Sequence, residues 1–265
     1  GLTERALDLM KANHIKGIFF VNGHFMPATF SCSSADSATS ENKHCAYLFE
    51  LQRILKRIDA DGHQVGNHTV SHPNLCSEQY KQHPESARFE IEDNARRIKS
   101  VLGREPSFFR IPFGSRCDYL TGTKSKPGGL LQQLRIAHTG WDIDSEDWRR
   151  HDAQKTFATI VYHLYRMPSD RKKPIILLMH DTHASNLNAL QLFLEWTNKV
   201  NQRYPGRIRF ADPAALLPEP SLVADVRFIG EIIRQAWTRF KAALVPTPVV
   251  PQSMIATNPS LPIAG

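Results

Sequence analysis

The sequence predicts an α/β fold built on a mostly parallel sheet, which is either open or closed into a barrel. Amphipathic helix patterns alternate with short apolar strand patterns along most of the 265 residues. Histidine, carboxylate and arginine side chains follow directly after several of these strands. In parallel α/β folds the chemistry lies on loops at the carboxyl ends of strands, so these clusters form the candidate functional site.

Each element is indicated by the spacing of its apolar residues. Ala6, Leu9 and Met10 at helical spacing predict a first helix over 2–13, and the apolar run after it predicts a buried strand over 15–21. The same criteria predict strands over 64–67, 108–109, 136–141, 174–179 and 207–210, and helices over 48–62, 85–102, 156–165 and 187–202. The helix over 85–102 ends at Gly103, a residue that commonly terminates helices.

Composition and patterning divide the chain into two parts. A hydrophobic content of 41% and a charged content of 22% are ordinary for a globular protein. The longest apolar run, over 174–179, is far too short to span a membrane. After Pro218 the composition changes, so we predict a main domain over 1–218 and a C-terminal appendage over 219–265, with one helix and a Pro-rich tail.

The net charge of +7 favours anionic partners, such as nucleic acid, a cell-wall polymer or a membrane surface. The basic residues are scattered, however, and the short runs Arg149–Arg150 and 171–173 are explained at least as well by solvated loops. We therefore do not expect nucleic acid as a partner.

Four cysteines occur without any CxxC spacing: Cys32, Cys45, Cys76 and Cys117. Cys32 and Cys45 bracket a Ser-rich stretch, and a disulfide between them would suit an exported protein. Four unrelated buried thiols are the alternative interpretation.

Two histidines four residues apart, His68 and His72, follow a predicted strand. On one helical turn such a pair faces the same way and can bind one divalent cation through two imidazoles. With 12 histidines in the chain a pair at this spacing also arises by chance. Two imidazoles bonded to backbone groups are therefore the alternative.

A second polar group gathers after two other strands. His180 follows the apolar run over 174–179, where a histidine can act as a general acid. A carboxylate of the acidic run over 142–147 could orient His180 and favour its protonated form, although a solvated acidic loop is the alternative. Arg110 also follows a strand and could pair with a catalytic carboxylate or, alternatively, form a surface ion pair.

Together these residues resemble the NodB-homology polysaccharide deacetylases, carbohydrate esterase family four. Residues 68–72 read as H-[ST]-x-x-H, 110–113 as R-x-P-[YF], 144–148 as D-x-x-D-W and 178–180 as L-x-H. The flanking segments 17–23 and 62–67 match as well, and the resemblance covers roughly residues 2–218. Four motifs in the family's order are far more specific than any one of them.

The resemblance implies a distorted (β/α) barrel of the NodB type, followed by a C-terminal helical appendage. His68 and His72 would bind a divalent metal, most often zinc. Arg110 would orient the catalytic base, and Asp147 would tune His180 as the general acid.

The resemblance also implies a substrate side to the site. The backbone N–H of Phe113 would help to stabilise the oxyanion, although the family usually has Tyr there. Trp148 would shape the groove, and Leu178 would shape the pocket for the acetyl methyl group.

The implied function is removal of N-acetyl groups from a GlcNAc-containing polysaccharide, of the peptidoglycan or chitin type, by a secreted, periplasmic or envelope-associated enzyme. An esterase for O-acetyl groups of the xylan type remains an alternative on the same fold. A catalytically impaired carbohydrate-binding member is a second alternative, because the family's T-F-D-D-G motif should precede Leu2 and the sequence contains no Asp-Asp pair. If the protein truly starts at Gly1, we expect weak metal binding and weak activity.

Overall fold

The structure is a computed structural model that describes residues 1–26, 43–123, 128–168 and 174–216. Three sequence predictions lie outside the described residues. They are the Cys32 end of the expected disulfide, the helix of the C-terminal appendage, and the Pro-rich tail.

The described strands are short and parallel. Strands β1 (Ile18–Val21), β2 (Gln64–Asn67) and β3 (Phe108–Phe109) form one sheet in that order. Strands β4 (Ile143–Asp144) and β5 (Leu177–Leu178) pair separately, and a parallel bridge from Phe109 to His138 extends the first sheet beyond β3. The predicted α/β class is therefore confirmed, while the strands of the described ranges form two sheets and no closed ring.

The strand register aligns the carboxyl ends of the first sheet. Val21 lies opposite Asn67, and Asn67 lies opposite Phe109. The loops that leave these strands therefore start at the same edge, which is where the sequence motifs begin.

Helices alternate with the strands along the chain, as the apolar periodicity predicted. They are α1 (Leu2–Ala12), α2 (Lys43–Ala60), α3 (Glu78–Gln82), α4 (Pro84–Leu102), α5 (Asp118–Thr121), α6 (Leu130–Gln133), α7 (Asp147–Arg150), α8 (Ala153–Arg166) and α9 (Ala184–Arg203). Pro84 opens α4, and Gly103 ends it with φ 73° and an N–H bond to the Lys99 carbonyl. No helix in these ranges is both long and apolar enough to span a membrane.

Three apolar clusters hold the helices on the strands. The first joins β3 to α4, α5 and α6, and contains Leu75, Ala87, Ile91, Phe109, Ile111, Leu120, Leu130 and Leu131. The second joins β2 to α1, α2 and α4, and contains Leu7, Met26, Leu55, Ile58, Val65 and Ile98. The third joins α8 and α9 and contains Ile15, Ile160, Phe193 and Leu194. Each fully buried side chain of this size contributes roughly 1.5–3 kcal/mol to folding.

Two strand predictions were wrong. The strand expected over 136–141 is reduced to the bridge at His138, and the strand forms instead at Ile143–Asp144, inside the acidic run. No strand forms over 207–210, because the Ile208 main chain exchanges two 2.8 Å hydrogen bonds with the Asn201 side chain. Helix α3 was not predicted, since it buries no residue and has no apolar stripe.

A disulfide joins Cys76 to Cys117, with the two Cα atoms 5.7 Å apart. It ties the segment after His72 to the segment after the 3-10 turn at Pro112–Gly114. Cys45 is also disulfide-bonded, and no cysteine of the described residues is free. The alternative of four unrelated thiols is therefore wrong, and the Cys76–Cys117 pairing was not foreseen.

Candidate active site

The predicted site residues lie where parallel strands end. His68 directly follows β2, Arg110 directly follows β3, and His180 comes two residues after β5. Burial is the main cause that lowers the pKa of both His68 and His72, and the charge of His180 lowers both pKa values further. The structure therefore brings the three imidazoles to one site.

His68 is held in a single orientation. Its Nδ1 lies 2.8 Å from the carbonyl oxygen of Arg110. Because a carbonyl only accepts hydrogen bonds, Nδ1 carries the proton and Nε2 keeps its lone pair. Burial lowers the pKa of His68 to about 4, so the ring is neutral at neutral pH.

His72 faces His68, with the ring centroids 4.7 Å apart. Its main-chain N–H donates to the Thr69 hydroxyl at 3.1 Å, and burial lowers the pKa of its imidazole. Both imidazoles are neutral, and His68 has its Nδ1 bonded to a backbone carbonyl, which leaves Nε2 for a metal. This arrangement fits the way in which histidine binds metals. Within the described ranges, no third histidine, cysteine or carboxylate joins them to complete a ligand set.

His180 is braced by a buried carboxylate. Asp147 has 0% exposure, and its Oδ1 lies 2.7 Å from the Nδ1 of His180. The other oxygen of Asp147 accepts the main-chain N–H of His180 at 2.7 Å. Because Asp147 engages Nδ1, the Nε2 atom of His180 is left to exchange a proton with a substrate.

Arg110 is buried without a carboxylate partner among the described residues. Its guanidinium donates to the carbonyls of Thr139 at 3.1 Å and Gly140 at 3.2 Å, and it packs 4.1 Å from the ring centroid of Phe20. Burial lowers the pKa of Arg110 to about 10. Its expected pairing with a catalytic carboxylate therefore stays a prediction.

The residues predicted to contact substrate differ in exposure. Phe113 is 65% exposed, has φ 60° and places its ring centroid 4.7 Å from that of His72. Trp148 is 54% exposed and follows Asp147 directly. Leu178 is buried in β5, opposite Asp144 of β4. The exposed Phe113 ring thus contacts the histidine pair, whereas Trp148 is next to Asp147 in the sequence. Contact of either ring with substrate stays a prediction.

The polar support of the histidine loop, residues 67–72, was missed by the sequence analysis. Asn67 bonds Ile91 and Thr69, and Glu90 accepts hydrogen bonds from Val70 and Ser71. A signal was present in the sequence, because Glu90 lies on the same buried stripe of α4 as Ala87, Ile91, Asn94 and Ile98. A carboxylate on an apolar stripe must find partners in the interior.

Two histidines in contact and a third braced by a carboxylate, each following the carboxyl end of a parallel strand, are an arrangement suited to acid–base hydrolysis. Residues 1–128 match the family model described as Polysaccharide deacetylase. The match agrees with the family that the sequence motifs predicted.

Known relatives agree with this assignment. The chain is 28% identical over 189 residues to a chitin deacetylase of Colletotrichum lindemuthianum, covering 71% of this chain and 65% of the relative. It is 21% identical over 180 residues to the peptidoglycan-N-acetylmuramic acid deacetylase PdaA of Bacillus subtilis, covering 66% and 59%. The chain thus spans less than two thirds of the length of these curated relatives.

The fold is shared with a solved structure. The peptidoglycan deacetylase PdaC of Bacillus subtilis superposes with a TM-score of 0.54 at 21% identity, over 75% of this chain and 77% of that one. The predicted NodB-type fold is confirmed by this likeness.

Proposed function

We propose that this chain is a metal-dependent polysaccharide deacetylase that removes N-acetyl groups from a GlcNAc-containing polymer of the peptidoglycan or chitin type. The observation that carries the proposal is the 2.7 Å contact between Asp147 and His180 beside the pair His68 and His72. The names of the relatives, a chitin and a peptidoglycan deacetylase, support the same substrate class. We assign the activity to residues 1–218 of a secreted or envelope-associated protein.

His68 and His72 are the residues that would hold the metal. His68 would bind it through Nε2, because its Nδ1 is engaged by the Arg110 carbonyl. A bound zinc or similar ion supplies Lewis-acid polarisation of the acetyl carbonyl and of water. The neutral state of both imidazoles favours ligation, since a protonated imidazole has no lone pair to offer.

The reaction is hydrolysis of an amide. A water oxygen adds to the acetyl carbon and gives its proton to the catalytic base, which the family resemblance assigns to the T-F-D-D-G motif. A tetrahedral oxyanion forms, and the C–N bond then breaks to give acetate and a free amine. His180 donates a proton from Nε2 to the departing nitrogen, while Asp147 stabilises the imidazolium. The backbone N–H of Phe113 is the proposed donor to the oxyanion.

The test measures acetate release from an N-acetylated chitin oligomer and from peptidoglycan by the zinc-loaded chain. We expect His180→Ala to lower kcat about 10²–10⁴-fold, the usual contribution of a general acid. His163→Ala, a histidine exposed on α8, is the matched control and leaves kcat unchanged. A chelator should abolish turnover in the wild type, and so should replacement of His68 and His72 by Ala.

Other results would replace the proposal. If His180→Ala keeps most of the activity on an O-acetylated xylan, the chain is an ester hydrolase, since an alcohol leaving group needs less help from an acid. Glycan binding without acetate release would identify a carbohydrate-binding member that does not turn over.

A further inference from the structure

The histidine loop has a backbone that needs outside support. Thr69 and His72 both have left-handed backbone angles, with φ 69° and φ 57°. This region is unfavourable for residues with a side chain, and especially for a β-branched one such as Thr69. Such strain persists only when surrounding contacts enforce it.

Glu90 of α4 contacts the middle of this loop. One carboxylate oxygen accepts the main-chain N–H of Val70 at 2.9 Å and that of Ser71 at 2.8 Å. The other oxygen accepts the Ser71 hydroxyl at 2.6 Å. Glu90 is 8% exposed, so these bonds are largely shielded from water.

The position of these bonds connects Glu90 to the histidines. Val70 and Ser71 lie between His68 and His72, so the carboxylate holds the segment that sets the spacing of the two rings. Hydrogen bonds to a charged acceptor are roughly twice as strong as neutral ones. The partly buried Tyr80 lies beside the same carboxylate: burial raises the pKa of its phenol, and the charge of Glu90 raises it further.

We propose that Glu90 is a positioning residue for the metal pair. It does not touch the metal or the substrate, and it acts by holding the loop so that His68 and His72 face one ion. This inference rests on the proposed function only for the identity of that ion. The hold of Glu90 on the loop can be measured without any metal.

The chain offers a matched control on the same helix. Asp93 is also a buried carboxylate of α4, and it pairs with Arg96 at 3.0 Å and Arg97 at 2.7 Å. Among the described residues no hydrogen bond or ion pair joins its side chain to the histidine loop, so Asp93→Ala removes a buried charge from α4 without releasing the loop. Glu90→Gln is the conservative variant, because an amide oxygen can accept both N–H groups and the amide nitrogen can donate to the Ser71 hydroxyl.

The experiment compares Glu90→Ala, Glu90→Gln, Asp93→Ala and wild type in the full chain. The zinc affinity of each is measured by competition with a chromophoric chelator, at a temperature well below the unfolding midpoint of every protein compared. The exchange rate of the Ser71 amide is measured in zinc-free protein. Ser71 is the reporter because the Val70 amide also reaches the main-chain carbonyl of Glu90 at 3.1 Å.

We expect Glu90→Ala to lower the zinc affinity about 10–100-fold, as loss of an outer-shell partner does. We expect its Ser71 amide to exchange at least about tenfold faster. Glu90→Gln should lie between Glu90→Ala and the wild type in both measurements, because the amide keeps the hydrogen bonds but not the charge. Asp93→Ala should lower stability without changing the zinc affinity or the Ser71 exchange rate.

Equal losses of affinity in Glu90→Ala and Asp93→Ala would overturn the inference, and so would an unchanged Ser71 exchange rate in Glu90→Ala. If the wild type binds zinc no better than a variant with Ala at His68 and His72, the metal in the proposed function is wrong. The Ser71 exchange rate then still decides whether Glu90 holds the loop.

Discussion

Single imidazoles of the site differ in the group that engages Nδ1. His68 has Nδ1 on a backbone carbonyl, whereas His180 has Nδ1 on the buried carboxylate of Asp147. Burial lowers the pKa of His68 and keeps its ring neutral, although the bond to the carbonyl acts in the other direction. In His180 the carboxylate fixes the ring so that Nε2 is free to exchange a proton. One residue type thus serves two roles because its neighbours differ.

A further partly buried histidine, His138, allows the effect of burial on stability to be measured away from the proposed metal pair. Burial lowers its pKa from 6.5 to about 4, and the charges of Arg116 and Arg110 lower it further. Its Nδ1 accepts the Ile111 N–H at 3.3 Å, which requires an unprotonated nitrogen.

Because its folded pKa lies below the unfolded value, the unfolded chain binds more protons as the pH falls from 6.5 towards 4. Stability is therefore present above that window and is lost within it. Between pH 7 and pH 5 we expect the wild type to lose about 1 kcal/mol more unfolding free energy than His138→Asn, after allowance for solvent screening. The asparagine keeps an acceptor for the Ile111 N–H. Urea unfolding of both proteins with a chelator present measures the difference, and identical pH profiles would contradict it.

At the scale of elements, α4 connects the first sheet to the histidine loop. Asn94 donates to the Val21 carbonyl of β1 at 2.9 Å and to Asn67 of β2 at 2.8 Å. Asn67 in turn donates to the Ile91 carbonyl of α4 at 2.8 Å. These buried bonds hold the helix at the carboxyl ends of two strands, beside the loop that β2 leads into.

We expect Asn94→Ala to lower the free energy of unfolding by about 1–3 kcal/mol, because it removes the hydrogen bonds that Asn94 donates to both strands, each contributing about 0.5–1.5 kcal/mol. Ser100→Ala, an exposed position of the same helix, should change stability by less than about 0.5 kcal/mol. Denaturant unfolding measures both. A loss in Asn94→Ala no larger than that in Ser100→Ala would mean that the bonds contribute little.

The helices and the first strands could be predicted from the sequence, because apolar period and terminating residues are local properties. Helix α4 and strand β2 were found within one residue of their bounds. The strand after Leu134 was not, because the carbonyls of Thr139 and Gly140 bond the guanidinium of Arg110 and not a neighbouring strand. That partner is distant in sequence, so no local pattern reports it.

At the scale of the whole molecule, the order of the motifs predicted which residues meet, since each follows a parallel strand. The cysteine pairing was not predictable in the same way, because four cysteines allow three connectivities and spacing alone does not choose among them. The pairing depends on how α4 and β3 bring the segments after His72 and after Pro112 together.

The Cys76–Cys117 bridge closes a loop of 41 residues that includes α4 and β3. We expect the double variant Cys76→Ser and Cys117→Ser to lose about 2–4 kcal/mol of unfolding free energy, since the unfolded chain is no longer constrained. Denaturant unfolding of the variant against the oxidised wild type measures this loss. Equal unfolding midpoints would show that the bridge adds no stability.

The exposed indole of Trp148 allows the region near His180 to be followed by tryptophan fluorescence. The ring is 54% exposed and directly follows the aspartate that braces His180. A sugar chain lying over it would shield it from dissolved iodide and shift its emission to shorter wavelength. The difference between the wild type and Trp148→Phe would isolate this signal from that of the other three tryptophans. Glycan arrival could then be timed by fluorescence, independently of any acetate released.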